Sequence, residues 1–397
     1  MRTCLTLALL VALAAALAAA CPAAPYYHAE FIFTPERFHN HASCIVQLPD
    51  GNLLACWYRG VGPEKGDDVR IYGARLLKGA KHWTPRFVMA DTPGYPDDNP
   101  CMFIDARKRL WLIWPNLLAN QWHTALTKYR VSTNYQQRQG PPVWAWQDLI
   151  YVTPANFPEQ FEAALQRDLA EHSQALAYPG LEDEIKEARA RAADRLYQRI
   201  GWMPRAHPTV LRSGRILVPL YTDGFSCSLV AYSDDVGATW QTSGLLAGDF
   251  GIQPSIVERK DGTLLAMMRT AGPHKRILVS ESKDQGATWS LAVPSDLPNP
   301  GSGLEVIRLA NGHWALVYND SEDTRSTLAV SISDDEGKTW KWTRHLERGH
   351  DGSYPSIIQS RDGLLHVTYS HDPPGGGQTI KYAVFNEEWV QQGDPAQ

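Results

Sequence analysis

The chain has 397 residues, of which 44% are hydrophobic and 10% aromatic, so it is long enough to bury one large core or two ordinary ones. Its 38 basic and 43 acidic residues give a formal net charge of −5 without long blocks of one sign. These figures predict a globular protein, and they show no electrostatic footprint for a nucleic-acid partner.

The N-terminus has the pattern of an export signal. Arg2 is followed by an apolar run from residue 5 to residue 20 and by small residues before Cys21, which predicts a signal peptide over residues 1–20. The mature chain is then expected in the periplasm or secreted. The segment LAAAC also weakly resembles a bacterial lipoprotein box, so a lipid anchor at Cys21 stays open. After Pro25 no apolar segment approaches the length of about 20 residues that spans a bilayer.

Six β-hairpins are predicted along residues 26–390, each an apolar strand, a polar turn and a second apolar strand. They read SCIVQLPDGNLLACWY, CMFIDARKRLWLIW, TVLRSGRILVPLY, SIVERKDGTLLAMM, VIRLANGHWALVY and SIIQSRDGLLHVTY. Apart from one insertion they recur about every fifty residues. This recurrence predicts an all-β, six-bladed β-propeller with four-stranded blades.

The insertion covers residues 155–200, between the second and third blades, where the β pattern stops. Apolar residues step by four in two segments, which predicts two amphipathic helices. Asn156 and Glu159 fit a capping box at the start of the first helix. The two helices are expected to form a lid or a buttress rather than a separate domain. The apolar positions are Phe157, Phe161, Leu165 and Leu169 in the first helix, and Leu181, Ile185, Ala192 and Leu196 in the second.

A shorter repeat marks three of the blades. The segments SDDVGATW (233–240), SKDQGATW (282–289) and SDDEGKTW (333–340) share Ser-x-Asp-x-Gly-x-Thr-Trp at intervals of 49 and 51 residues. The Asp can hydrogen-bond its own turn, the Gly can adopt a positive φ, and the Trp can pack beneath the hairpin. The repeat is therefore expected to build rigid turns and not a binding site.

A polar residue followed by proline precedes the first strand of four hairpins. These pairs are Asn99-Pro100, His207-Pro208, Gln253-Pro254 and Tyr354-Pro355, and in the first blade His41 lies next to the aligned position. Equivalent positions in a propeller form a ring around its channel, so the polar residues predict a site there, although the prolines alone could serve to protect strand entries. Arg269 and Arg325 follow strands at comparable places and are predicted to bind a carboxylate or sulfate.

With these motifs the chain resembles the sialidase (neuraminidase) superfamily, the proteins with Asp-box or bacterial neuraminidase repeats, over roughly residues 30–385 outside the insertion. The resemblance implies a tyrosine nucleophile, an aspartate acid/base and an arginine clamp for the carboxylate of the sugar. In this sequence it assigns Tyr354 as the nucleophile and Arg269 and Arg325 as the second and third arginines. In the loop GPEKGDDVRIYGAR it assigns Asp68, or alternatively Asp67, as the acid/base.

Two positions depart from the family pattern. His41 stands where the first arginine belongs, and Gln253 stands where a glutamate activates the tyrosine. A tyrosine has an ordinary pKa of about 10 and needs a base, and a glutamine cannot accept its proton. The base is then Glu305, Asp320 or Asp223, or Tyr354 is not a nucleophile. His41 titrates near neutral pH and is itself a candidate acid or base. The predicted contacts to substrate, besides the two arginines, are Asn99, His207, Tyr221, Asp223, Glu305 and Asp320.

These residues predict an exported glycoside hydrolase that removes a terminal acidic sugar, such as sialic acid, from a glycan. Two alternatives remain. One is a lyase or glycosidase acting on uronate polysaccharides, in which His41 and Tyr354 divide the base and acid roles. The other is a carbohydrate-binding propeller without catalysis. Neither a cofactor nor a catalytic metal is expected, because no HExxH or EF-hand motif appears and the body cysteines (Cys44, Cys56, Cys101 and Cys227) lack CxxC spacing.

Overall fold

Six antiparallel β-sheets form the blades of a ring in a computed structural model that describes residues 23–172 and 179–395. The predicted signal peptide and Cys21 lie outside the described residues. Blade I consists of β2 (His39–Gln47), β3 (Leu53–Gly60), β4 (Arg70–Leu76) and β5 (Phe87–Ala90). Blade II consists of β6 (Cys101–Ile104), β7 (Leu110–Leu117), β8 (Ala125–Ser132) and β9 (Trp146–Leu149).

The third blade has one strand more than the others because its inner strand is interrupted. Blade III consists of β10 (Met203–Pro204), β11 (Thr209–Val210), β12 (Ile216–Thr222), β13 (Cys227–Ser233) and β14 (Gln241–Thr242), and both β10 and β11 pair with β12. Blade IV consists of β15 (Gly251–Glu258), β16 (Leu264–Thr270), β17 (Arg276–Ser282) and β18 (Val293–Pro298). Blade V consists of β19 (Glu305–Arg308), β20 (Trp314–Asn319), β21 (Leu328–Ser333) and β22 (Trp342–His345).

Blade VI joins the two ends of the described chain. It consists of β23 (Asp351–Gln359), β24 (Leu365–Asp372), β25 (Thr379–Phe385) and β1 (Tyr27–Phe31). The strand β1 pairs antiparallel with β25, so residues close to the N-terminus supply the outermost strand of the last blade. The short helix α3 (Glu387–Gln391), which follows β25, packs Trp389 on Tyr27 with ring centroids 4.5 Å apart. The six predicted hairpins are confirmed as the first and second strands of the six blades, whereas this closure was not predicted.

The core lies between neighbouring blades, where the apolar faces of successive sheets pack together. The five largest fully buried side chains are tryptophans, namely Trp57, Trp111, Trp114, Trp202 and Trp314. Consecutive side chains of a strand point to opposite faces of the blade. Apolar residues at both positions are buried because neighbouring blades cover the two faces. The four cysteines of the body are buried and unpaired. No helix among the described residues is long and apolar enough to cross a membrane.

The three Ser-x-Asp-x-Gly-x-Thr-Trp turns join the last two strands of blades III, IV and V. Each turn contains the same pattern of hydrogen bonds. In the first, Oδ1 of Asp235 accepts the Thr239 N–H at 2.8 Å, and Oγ of Ser233 accepts the Gly237 N–H at 2.7 Å. Gly237 has a φ of 83°, as the repeat predicted. These carboxylates serve turn structure, in agreement with the expectation from sequence.

The insertion forms two helices, α1 (Phe157–Glu171) and α2 (Leu181–Ala193), between blades II and III. Phe157 and Phe161 are buried against these blades, so the predicted apolar face of α1 is confirmed. The capping box is wrong, because Asn156 takes a left-handed conformation with φ 49° and its side chain caps no N–H group. The second helix is shorter than predicted, and Leu196 lies beyond its end with 59% of its surface exposed.

Candidate active site

The site is built on a backbone distortion that recurs where the inner strands begin. Asn99, Gln253 and Tyr354, each followed by proline, have φ values of 33°, 55° and 52°, and Ala42 in blade I has 53°. The pairing register of the inner strand shifts at this point in blades I, IV and VI. A left-handed conformation costs a non-glycine residue on the order of 1–3 kcal/mol and is retained mainly at functional positions. The bulges therefore mark a ring of specially placed side chains.

Tyr354 is the residue on which most contacts of this ring converge. Its hydroxyl oxygen accepts hydrogen bonds from Nη1 of Arg269 at 2.8 Å and from Nε2 of Gln253 at 3.3 Å. The ring centroid of His41 lies 4.3 Å from that of Tyr354, and Tyr354 is only 9% exposed. Both polar contacts are N–H donors, so they fix the position of the phenol oxygen between Arg269 and Gln253.

Three guanidinium groups surround the tyrosine, not two. The Cζ atoms of Arg205 and Arg325 lie 5.0 Å and 5.5 Å from the ring centroid of Tyr354, in addition to the direct bond from Arg269. Sequence reasoning missed Arg205, which precedes the His207-Pro208 pair by two residues. Its position close to His207, the aligned polar residue of blade III, could have indicated it. Arg205 lies in the break between β10 and β11.

The two predicted arginines keep donor groups available for a ligand. Both side chains are half-buried. Nη2 of Arg325 donates to the carbonyl oxygen of Gly301 at 2.9 Å, and no bond occupies its other nitrogens among the described residues. Nε of Arg269 is buried without a partner among the described residues. This arrangement suits a planar anion that accepts two parallel hydrogen bonds, such as a carboxylate.

Gln253 is held against Tyr354 by a tightly packed neighbour. A Cβ atom on Gly303 would lie 3.1 Å from Oε1 of Gln253 and 3.6 Å from Nε of Arg205. Both of these atoms are buried without a hydrogen-bond partner among the described residues. The position that would hold an activating carboxylate is therefore occupied by a neutral amide beside a guanidinium.

A second group of residues, from blades I and II, is rich in carboxyl groups. Asp98, next to Asn99, is fully buried, and neither of its carboxyl oxygens has a partner within the part of the chain that the structure describes. Burial first, and then the nearby Glu64 and Asp97, raise the pKa of Asp98 well above its usual range. A carboxyl group in this environment stays protonated and can act as a proton donor. Asp98 was not predicted, because it precedes the aligned position by one residue.

The acidic side chain of the loop at 61–69 that faces the site is Glu64. Its Oε2 accepts a hydrogen bond from the hydroxyl of Tyr58 at 3.2 Å, and Tyr58 lies 5.8 Å from His41 between ring centroids. The geometry does not support Asp68 as the acid/base, since its exposed carboxylate accepts the Val61 N–H at 2.5 Å and closes the loop. Asp67 is exposed as well and binds a side-chain amide of blade II.

His41 lies against Tyr354 but does not titrate near neutral pH as its residue type suggested. Burial in the channel lowers its pKa well below the usual range, and the neighbouring His39 and the arginines act in the same direction. His41 is therefore a neutral imidazole at neutral pH, with one nitrogen that donates and one that accepts.

Asn99, Tyr221 and Asp223 lie on the rim of the same site. Nδ2 of Asn99 donates to the hydroxyl of Tyr221 at 3.3 Å, and both residues are buried. Asp223 directly follows β12, and its side chain is exposed at the surface. Partial desolvation by the surrounding protein raises the pKa of Asp223, whereas Arg269 lowers it. Among the three carboxylates considered as a base for Tyr354, Asp223 is the one with an electrostatic partner in the site.

The structure uses His207 and Glu305 differently from the prediction of substrate contacts. Nδ1 of His207 lies 2.8 Å from Oε1 of Glu305, and its Nε2 lies 2.8 Å from the carbonyl oxygen of Ile45. Oε2 of Glu305 accepts the Ile357 N–H at 2.7 Å. The pair links inner strands of different blades across the channel, so its polar atoms are occupied by the protein itself.

Asp320 is also drawn away from the site. Its Oδ2 lies 3.4 Å from Nε2 of His345. Because His345 belongs to β22, the outermost strand of blade V, this ion pair directs Asp320 outward and not toward Tyr354. The prediction that Asp320 contacts substrate is not supported.

Comparisons with known proteins agree with this architecture. A family model described as a BNR repeat-like domain matches residues 191–367. The anhydrosialidase of Macrobdella decora is 28% identical over 178 residues, which are 40% of this chain and 23% of the relative. The match thus spans about a quarter of the length of that curated protein.

Two solved structures share the fold at low sequence identity. The leech intramolecular trans-sialidase, in complex with 2,7-anhydro-Neu5Ac, superposes with a TM-score of 0.67 at 14% identity and covers 92% of this chain and 71% of its own. The intramolecular trans-sialidase of Ruminococcus gnavus, in complex with oseltamivir carboxylate, gives 0.66 at 13% identity, with 89% and 95% covered. The repeat-like domain over residues 191–367 and the six-bladed ring make the chain similar to the sialidase-like BNR-repeat proteins.

Proposed function

We propose that the protein is a glycoside hydrolase that removes a terminal acidic sugar, such as a sialic acid, from a glycan. The observation that carries this proposal is the convergence of Arg205, Arg269 and Arg325 on Tyr354. Three guanidinium groups around one phenol form a cationic pocket beside a nucleophile, which is what a sugar with a carboxylate at its reacting carbon requires. The low-identity relatives that are sialidases support the same substrate class.

In the proposed reaction the arginines hold the carboxylate of the sugar and Tyr354 attacks the anomeric carbon. The tyrosine oxygen forms a bond to that carbon while the bond to the leaving oxygen breaks. Asp98, or Glu64 from the same side, donates a proton to the leaving oxygen. Water then hydrolyses the tyrosyl–sugar bond, with the same carboxylate acting as a base, so the configuration is retained.

The proton of the Tyr354 hydroxyl needs an acceptor, because Gln253 cannot take it. We assign this role to Asp223, which interacts electrostatically with Arg269 and with Tyr221. Substitution of Asp223 by Asn is expected to lower turnover without preventing the binding of an acidic sugar.

The experiment compares two substrate classes. Purified protein is incubated with a fluorogenic sialoside and, in parallel, with uronate polysaccharides. Release of free sialic acid supports the proposal, and Tyr354→Phe should then abolish it. Tyr232→Phe removes a hydroxyl whose one hydrogen bond among the described residues is to Gln241 on the outer side of blade III, and it is the matched control. A Tyr354→Phe variant with full activity would overturn the nucleophile assignment.

A uronate-polysaccharide lyase or glycosidase is the second candidate, and the observation that favours it is the contact of His41 with Tyr354. A neutral imidazole 4.3 Å from a phenol could abstract a proton while the phenol donates one, with the arginines neutralising the uronate. An unsaturated product that absorbs ultraviolet light would support the lyase. Binding without turnover on both substrates would instead indicate a carbohydrate-binding propeller.

A further inference from the structure

A cluster of two histidines and an aspartate joins the helical insertion to blades III and IV. His172 directly follows α1, Asp249 precedes β15, and His274 lies between β16 and β17. One ligand atom from each of the three side chains lies within 4.8 Å of the others. The three residues are 77 and 25 positions apart in sequence, so no spacing motif announces them.

Two atoms of this cluster are buried and remain without hydrogen bonds. His172 is 5% exposed and Asp249 is 2% exposed. Nε2 of His172 and Oδ1 of Asp249 are only 2.6 Å apart, yet neither has a partner with hydrogen-bond geometry among the described residues. Buried polar atoms are nearly always satisfied, so a buried imidazole nitrogen and a buried carboxylate oxygen that approach each other without hydrogen-bond geometry point to a missing cation.

The surroundings of the cluster favour positive charge. His172 is the C-cap residue of α1, where the carbonyl groups of the last helical turn give a partial negative charge. Oδ1 of the buried Asp168, one turn earlier, accepts the Asp249 N–H at 2.8 Å and orients that residue. The Asp168 carboxyl group thus fixes the backbone of Asp249 and lies next to the cluster.

We propose that His172, Asp249 and His274 bind one divalent transition-metal ion, for which Zn²⁺ is the best match to the donor set. Two imidazole nitrogens and one carboxylate oxygen are common zinc ligands, and water completes the coordination on the side where His274 is 44% exposed. The ion ties the end of α1 to His274, which lies five residues after Arg269 in the loop between β16 and β17. It therefore fastens the insertion to the propeller next to the arginine that contacts Tyr354.

Metal content tests the site directly and independently of catalysis. Tag-free protein is treated with EDTA, equilibrated with ZnCl₂, freed of excess ion by gel filtration and analysed by mass spectrometry for zinc. We expect one zinc ion per wild-type chain and an affinity weaker by about tenfold or more in His274→Gln and Asp249→Asn. Zinc should also raise the Tm of the wild type but not that of His274→Gln.

His345, a histidine outside the cluster that lies between two carboxylates, supplies the control. His345 contacts Asp394 through Nδ1 and Asp320 through Nε2, so these carboxylates approach opposite ring nitrogens and do not converge on one point. His345→Gln should keep the full zinc content. If wild-type protein retains no zinc, or if His274→Gln retains as much as the wild type, the cluster is only a hydrogen-bonded network and the proposal fails.

Discussion

The side-chain amide of Gln253 donates to the hydroxyl oxygen of Tyr354 over 3.3 Å, and its own oxygen has no partner among the described residues. A glutamate at this position would place a base directly on the phenol. The nearby Arg205, whose Nε is likewise without a partner in the described part of the chain, would compensate the added charge.

We therefore predict that Gln253→Glu raises kcat for an acidic sugar substrate by about tenfold or more, since general bases commonly contribute larger factors than this. Gln253→Met, which removes the amide without adding a base, should not raise kcat. The measurement is kcat against pH for the three proteins. A glutamate variant that is no faster at any pH would show that Tyr354 needs no base at this position.

Arg325→Gln should weaken substrate binding. Hydrogen bonds to a charged group contribute about 1.5–3 kcal/mol, so the variant is expected to raise KM about tenfold to a hundredfold with a smaller effect on kcat. Arg348 pairs with Asp394 at the protein surface, and Arg348→Gln is the matched control. An unchanged KM in Arg325→Gln would remove Arg325 from the carboxylate site.

Asp98→Asn should affect substrates according to their leaving groups. If Asp98 protonates the leaving oxygen, the loss in kcat is about 10²- to 10⁴-fold for a natural glycan and much smaller for an aryl sugar, whose leaving group needs no proton. Glu64→Gln is measured beside it, because Glu64 is the other carboxyl group on that side. An equal loss on both substrates in Asp98→Asn would indicate a structural role.

Stability should decline in mild acid because of His366 in blade VI. Its ring nitrogens lie 2.7 Å from the Tyr382 hydroxyl and 2.8 Å from the Ser360 hydroxyl, and burial lowers the pKa of His366 to about 4. As the pH falls from 6.5 to about 4, the unfolded chain binds a proton at His366 that the folded chain excludes. The free energy of unfolding is therefore highest above pH 6.5 and decreases on acidification.

The loss from this one residue is on the order of 3 kcal/mol. Urea unfolding at pH 7 and pH 4.5 should show a smaller difference for His366→Gln than for the wild type. The exposed His28 serves as control, and His28→Gln should keep the wild-type difference. Equal pH dependence in His366→Gln and wild type would contradict the assignment.

The hairpins and the first helix could be predicted because local patterns encode them. Alternating apolar residues, turn glycines and the four-residue step of Phe157 and Phe161 depend on near neighbours in sequence. The pairing of β1 with β25 could not be predicted in this way, because it joins segments about 350 residues apart and neither carries a partner signal.

Only part of the site could be predicted, because local patterns place some of its residues and contacts between blades place the others. Aligning the blades found Gln253 and Tyr354, which stand at equivalent backbone positions, and Arg269, which follows the next strand and contacts Tyr354. It missed Arg205 and Asp98, because side chains near an interrupted strand or a bulge need not follow the aligned register. It also assigned His207 to substrate, although the carboxylate that binds it, Glu305, comes from another blade.

The closure of blade VI by β1 has a consequence for the order of folding. Residues 27–31 are synthesised about 350 residues before their pairing partner in β25. The ring therefore cannot close until β25 has been made, and the sixth blade is completed after the five blades that lie between the two segments. Since Tyr354 also belongs to that blade, the protein completes its candidate site in the same late step that joins its two ends.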